Sequence, residues 1–258
     1  MSLSETSKTM RNQPEIFQIF YQSSQKNYLD PSFTPFDNTN NSCPTWCEYG
    51  VFHREFHKGT CDKGITGFIS WKFHEKTTLK GWQVYNWIES NPRHDVYSIN
   101  PFPIHMRKNG WLGFKNIWDH GEKHHPGLLA LAQNLFDKAD YKIDLGALRM
   151  SRQKITFCNY WFGTPTFWKR YISFCDPLYN LIESGLNDDE RAKLFAPADP
   201  SGICYIPYIF ERLFSTLLCV DESIRAISMS SRPIDKQLSL TEWVLRELKR
   251  PCKTLILK

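Results

Sequence analysis

The sequence predicts a single α/β domain whose mixed, mostly parallel sheet is flanked by helices. Two observations carry that prediction. From residue 66 onward, short apolar runs alternate with segments whose apolar residues recur at helical spacing, and strands alternating with helices build parallel sheets covered on both faces. The 258-residue length and 41% hydrophobic content suit one well-filled domain of that class. No internal repeat, low-complexity tract or long Gly/Ser linker divides the chain. Residues 15–258 are therefore expected to fold as one domain, behind a disordered tail over residues 1–14.

The elements follow in order. Glu15–Tyr21 alternates as a strand does. Residues 30–47, rich in Pro, Asn, Ser and Thr, read as a long irregular loop. Thr66–Trp71 is a short apolar strand. Trp82–Ile88 is helical, with Val84, Trp87 and Ile88 on one side and Asn91-Pro92 as its stop. Asp95–Asn100 is a strand ended by Pro101.

Pro126 suits the first position of the next helix, whose inward face is Leu128, Leu131, Ala132, Leu135 and Phe136. Ile155–Phe162 reads as a strand. Thr164 then serves as N-cap and Pro165 as first residue of a helix burying Phe167, Trp168, Tyr171, Ile172 and Cys175. Pro207 opens a helix with Ile209, Phe210, Leu213, Phe214, Leu217 and Leu218 inward. Ser239-Leu240-Thr241-Glu242 is a capping box, and Lys249-Arg250-Pro251 closes the last helix.

Composition excludes several classes. The 18 Phe, 11 Tyr and 9 Trp supply too much apolar area for disorder across most of the chain. No stretch approaches the roughly 20 apolar residues of a membrane span. Residues 1–15 are polar and hold no apolar signal core, so a cytoplasmic protein is expected. A net charge of +5, from 32 Lys and Arg against 27 Asp and Glu, is too mild for a nucleic-acid partner.

The eight cysteines read as free thiols in that compartment. Cys43, Cys47 and Cys61 bracket His53 and His57, but Cys-x3-Cys without a second tight pair is loose for structural zinc.

In such sheets ligands sit beyond the carboxyl ends of the strands. Those segments begin after Tyr21, Trp71, Asn100 and Phe162. Lys72, His74, Glu75 and Lys76 follow Trp71, and either a solvated surface or a phosphate suits the two lysines. His124-His125-Pro126-Gly127 precedes a helix, where free N–H groups and the dipole favour an anion; the alternative is a histidine that merely caps. Asn159 stands among Tyr160, Trp161 and Phe162, a setting that suits either a sugar ring or a core strand. Glu211 lies off the apolar stripe of its helix, as a dipole partner in the first turn or as a general base.

Five strings together resemble the glycosyltransferase domains of bacterial surface-polysaccharide biosynthesis, over roughly residues 15–220. They are Gly67–Phe73 with Lys76-Thr77, Asp95–Pro103, His124–Leu128, Asn159–Trp168 and Tyr208–Phe214. The resemblance implies a GT-A-like (Rossmann-like) domain that moves a hexose or N-acetylhexosamine from a nucleotide sugar, a UDP-sugar first, to a glycan or lipid-linked glycan acceptor. It implies donor-binding roles for Tyr21, Lys72, Lys76, Asn100, His124, Asn159 and Trp161, and catalytic roles for Glu211, Asp95 and His125.

Such domains hold the diphosphate through Mn²⁺ or Mg²⁺ on an Asp-x-Asp motif, which this sequence lacks. Ser98-Ile99-Asn100 stands in its place. Either Asp95 or Asn100 works with His124 or His125 around a metal, Asp95 with His125 first, or cations such as Lys72 and Lys76 neutralise the diphosphate without one. The rival expectation is a non-catalytic glycan- or partner-binding module that kept the fold. The last helix, with Leu240, Trp243, Val244 and Leu248 on one side and Lys249, Arg250, Lys253 and Lys258 at its end, suits packing or contact with the inner face of a membrane.

Overall fold

Alternate residues of a strand face opposite sides of a sheet, and the central strands here are apolar on both. In β1 (Glu15–Phe20), Ile16 enters one core while Phe17 and Ile19 enter the other. β3 (Thr66–Ser70) divides Phe68 from Ile69 in the same way, and β4 (Val96–Asn100) divides Val96 from Tyr97 and Ile99. Both β3 and β4 are buried throughout. The computed structural model describes residues 13–41, 43–102 and 116–231, with Arg152 as backbone only.

The sheet has six strands in the order β2-β1-β3-β5-β4-β6, with β2 at Thr34–Asp37, β5 at Trp161–Gly163 and β6 at Ala226–Ser230. Every pairing is parallel except those of β5, which runs antiparallel between β3 and β4. The edges are the most exposed strands, and Pro35 on β2 lacks the N–H that a further strand would need. Gly67 permits the close approach of β3 to β5, since a Cβ there would meet Phe162 Cδ1 at 2.4 Å and the Trp161 carbonyl oxygen at 2.7 Å.

One face carries α1 (Cys47–His57), α4 (Ile117–His124), α5 (Leu128–Lys138), α6 (Pro165–Asn180), α7 (Asp188–Phe195) and α8 (Tyr205–Val220) around the larger core. The other carries α2 (Phe73–Thr77) and α3 (Gly81–Ser90). Thr164 caps α6 as expected, accepting from Phe167 N at 3.3 Å, with Pro165 first in the helix. Pro177 inside α6 removes one helical N–H donor. No described helix is long and apolar enough to cross a membrane.

The structure corrects several expectations. The loop over 30–47 contains strand β2. The strand expected over 155–162 shrinks to β5 because Cys158 and Asn159 adopt φ of 69° and 53°, turning the chain before it can pair. Pro126 precedes α5 rather than opening it, since Gly127 is the N-cap. α8 begins at Tyr205, two residues before Pro207, so Glu211 lies in the second turn, away from the dipole's reach. The tail over 1–12, the histidine-containing segment 103–115 and the expected helix over 239–250 lie outside the described residues.

Candidate functional site

The carboxyl ends of the parallel strands place Tyr21, Trp71 and Asn100 along one edge of the sheet. Because β5 is antiparallel, the turn before it, Cys158-Asn159, arrives at the same edge; Ile99 N donates to Tyr160 O at 2.8 Å. α2 follows immediately and carries Lys76 back to that turn, where its Nζ donates to Cys158 Sγ at 3.4 Å. The first turn of α1 adds Glu48, and α8 adds Glu211. Lys76, Glu48, Glu211 and Cys158 are all half-buried.

These groups act on one another electrostatically. Burial pushes the Glu48 carboxyl above the usual range and Glu211 adds to it, while Lys76 opposes both. Burial also pushes the Cys158 thiol up to about 12, against Lys76, so it is a neutral thiol at pH 7. Burial works to lower Lys76, yet its net shift is upward, through Cys158 first and then Glu211 and Glu48. Lys76 is thus a cation in the field of Glu211 and Glu48, with its hydrogen bond made to Cys158. The Tyr21 hydroxyl is buried without a hydrogen-bond partner, and burial followed by Glu48 pushes it upward. The buried Asn159 Oδ1 also has no partner. Both are polar atoms that a ligand can satisfy.

The remaining expected residues divide. Lys72 lies beside this edge, with Nζ 5.0 Å above the Trp71 ring, and Tyr28, 64% exposed, stands 5.6 Å from that ring on its own side. Asn100 is at the edge but spends its Oδ1 on Phe102 N at 2.9 Å. His124 is exposed and its ring lies 4.5 Å from His120, which packs on Phe157 beside Cys158. His125 stacks on Tyr208 at 3.7 Å, with Nδ1 3.7 Å from Asp199. Burial, then Arg212, holds its pKa below the ordinary value.

Three readings need correction. Asp95 sits at the opposite, amino end of β4, where Arg225 grips it through Nη2 at 2.9 Å and Nε at 3.2 Å. It therefore does not join His125 around a metal, and that pair does not fit Mn²⁺ or Mg²⁺. The α5 terminus is no free anion site either, since Glu122 accepts from Gly127 N at 2.8 Å and Leu129 N at 2.9 Å. Trp161 is 1% exposed, stacked on Phe214 at 5.2 Å inside the larger core, so it offers no face to a sugar.

Glu48 and Cys158 were missed. The spacing of Tyr49, Phe52 and Phe56 is the helical signal that would have placed Glu48 in a first turn; nothing in the sequence marks the turn at Cys158. Two open grooves among the described residues lie elsewhere. One, lined by Glu15, Ser32, Trp82 and Tyr85, is at the amino edge; the other, lined by Gln133, Asp137 and Tyr141, lies beside α5. Comparison with protein-family models, with curated proteins and with solved structures finds no match for this chain.

Proposed function

We propose that the chain is a glycosyltransferase with a GT-A-like domain. It moves a hexose or N-acetylhexosamine from a nucleotide sugar, a UDP-sugar first, onto a growing surface glycan. The observation that carries this reading is the half-buried group at the carboxyl edge, where Lys76 donates to Cys158 and feels the charges of Glu211 and Glu48. A transferase of this kind needs a cation where the diphosphate departs and a carboxylate where the acceptor hydroxyl loses its proton. Lys76 and Lys72 supply the first. Glu211 supplies the second: it takes the proton as the acceptor oxygen bonds to the sugar's anomeric carbon and the bond to the diphosphate breaks. Tyr28 and Trp71 offer aromatic faces for the base or sugar, and Asn159 Oδ1 accepts from a sugar hydroxyl.

No step in this reading runs through a metal. His125 supports α8 through Tyr208 rather than touching the donor, which departs from the expected catalytic role. A lipid-linked acceptor, a cytoplasmic location and contact with the inner face of the membrane belong to this proposal; the first rests on the resemblance, the second on the polar residues 1–15 and the third on the sequence beyond residue 231.

A specific observation favours a second reading, a non-catalytic glycan- or partner-binding module. Asp95 lies away from the edge, and Glu122 fills the helix terminus suited to a phosphate. A thermal-shift screen with UDP, GDP, CMP and dTDP, each with and without Mn²⁺, separates the two. A ligand at about 100 times its dissociation constant adds roughly 2.7 kcal/mol to stability. One nucleotide raising Tm supports the transferase and names its donor class. No shift with any of the four at millimolar concentration supports the module.

A further inference from the structure

The second half of α1 bears two imidazoles that the proposed transferase does not use. His53 and His57 stand four residues apart, which puts them on one face of the helix. That face packs on α6, where Asp176 completes a group whose nitrogen and oxygen atoms all lie within 4.8 Å of one another. We propose that His53, His57 and Asp176 bind a divalent transition metal of the zinc class, and that the ion clasps α1 to α6.

The geometry supports this in three ways. His53 Nε2 and Asp176 Oδ1 are 3.6 Å apart, too far for a hydrogen bond. Ligand atoms around tetrahedral zinc, with bonds of about 2.0 Å, stand about 3.3 Å apart. This pair is thus already near ligand spacing, and the exposed His57 is free to swing inward. Second, Asp176 Oδ1 is buried with no hydrogen-bond partner, a position that a cation satisfies. Third, His53 is held in place: it stacks on Tyr179 of α6 at 4.2 Å, and Tyr49 lies 6.0 Å from the same ring.

The donor set decides the class of ion. Two imidazoles and one carboxylate suit zinc, cobalt or nickel rather than magnesium or calcium, which prefer oxygen throughout. Among the described residues the cysteines do not enter this group, so the ligands differ from the loose Cys43, Cys47 and Cys61 set. Glu48 precedes His53 by about 7 Å along the helix axis, which makes the clasp separate from the proposed transfer site and its test independent of that reading.

The test uses the tag-free, full-length chain stripped with EDTA. Titration with Co²⁺ is expected to give visible d–d absorption of four- or five-coordinate cobalt without a thiolate charge-transfer band, and Zn²⁺ is expected to displace it. Zn²⁺ at about 100 times its dissociation constant is expected to raise Tm by on the order of 5 °C. His57→Ala and Asp176→Asn are expected to lose both responses, and Cys47→Ser to keep them. The proposal is overturned if the parent shows neither response, if a thiolate band appears and vanishes in Cys47→Ser, or if His57→Ala responds as the parent does. His57 is exposed, so that variant decides the matter even if Asp176→Asn folds poorly.

Discussion

Lys76 donates to the sulfur of Cys158 across 3.4 Å, tying the helix after β3 to the turn before β5. That turn is held with Cys158 at φ 69° and Asn159 at φ 53°. Such backbone costs about 1–3 kcal/mol per residue and persists only where its surroundings fix it. The strain therefore lies at the turn that Lys76 holds. In Lys76→Met the turn loses the hydrogen bond to Cys158, and Glu48 and Glu211 lose the charge that opposes their repulsion. Nucleotide affinity by calorimetry is expected to fall at least tenfold, and stability in urea by about 1–3 kcal/mol. Glu48→Gln added to Lys76→Met is expected to restore part of the stability but none of the affinity, the non-additive outcome of electrostatically coupled groups.

Asp95 provides the contrasting control. Its grip by Arg225 holds the carboxyl below its ordinary pKa, chiefly through the side-chain hydrogen bonds. A depressed carboxylate stabilises the fold above its unfolded pKa of about 3.9, and that contribution disappears as pH falls through the folded value. Asp95→Asn is expected to cost under about 1 kcal/mol at pH 7, as half-exposed pairs do, and to leave transfer unchanged. Urea midpoints at pH 7 and pH 3 check the first statement, and a transfer assay the second.

Trp161 separates packing from binding. Replacing a buried aromatic by Ala typically costs about 3–5 kcal/mol, and Trp161 packs against Phe214, Trp168 and Phe52. Trp161→Ala is expected to lose stability on that scale. Whatever fraction stays folded is expected to bind nucleotide as the parent does, measured by titration below the melting range.

The pH dependence of stability follows from His125. Burial and Arg212 depress its pKa, so the unfolded chain binds the proton more readily, and stability is lost as pH falls below about 6.5. His53 is depressed in the same direction, first by burial. Between pH 7.5 and 5.5 the urea midpoint is expected to fall, and His125→Gln is expected to flatten that slope without removing it.

The segments with clear periodicity or caps were legible in the sequence: β1, β3, β4, α3, α5, α6 and α8 all stand within a few residues of expectation. Short or mixed segments were not. β2 is a four-residue edge strand of low burial, and α1 is interrupted by His53, Arg54 and Glu55, which blur its apolar face. The direction of β5 was hidden because alternation is the same in parallel and antiparallel strands. At the site, the rule that ligands lie beyond strand ends points to the segments after Tyr21, Trp71 and Asn100, which do stand at one edge with Lys72 and Lys76. It also points beyond Phe162, but β5 is antiparallel. Gly163-Thr164 therefore lies at the amino edge beside Asp95, and the turn before β5, with Asn159, reaches the carboxyl edge instead. Asp95 enters through the resemblance and not through that rule, since it stands at the start of its strand in the sequence as it does in the structure. Glu122 capping α5 illustrates the remaining gap: a helix terminus attractive to an anion is equally attractive to the protein's own carboxylate.

The central claim, that Glu211 accepts the acceptor's proton at a nucleotide-sugar site, is tested most directly by comparing the parent chain with Glu211→Gln. Nucleotide affinity and turnover of the matching sugar donor are measured on the same samples. Nucleotide affinity is expected to stay within about threefold and turnover to fall by about 10²–10⁴-fold, the range of a lost general base. Undiminished turnover in Glu211→Gln, or a parent chain that binds no nucleotide, would contradict it.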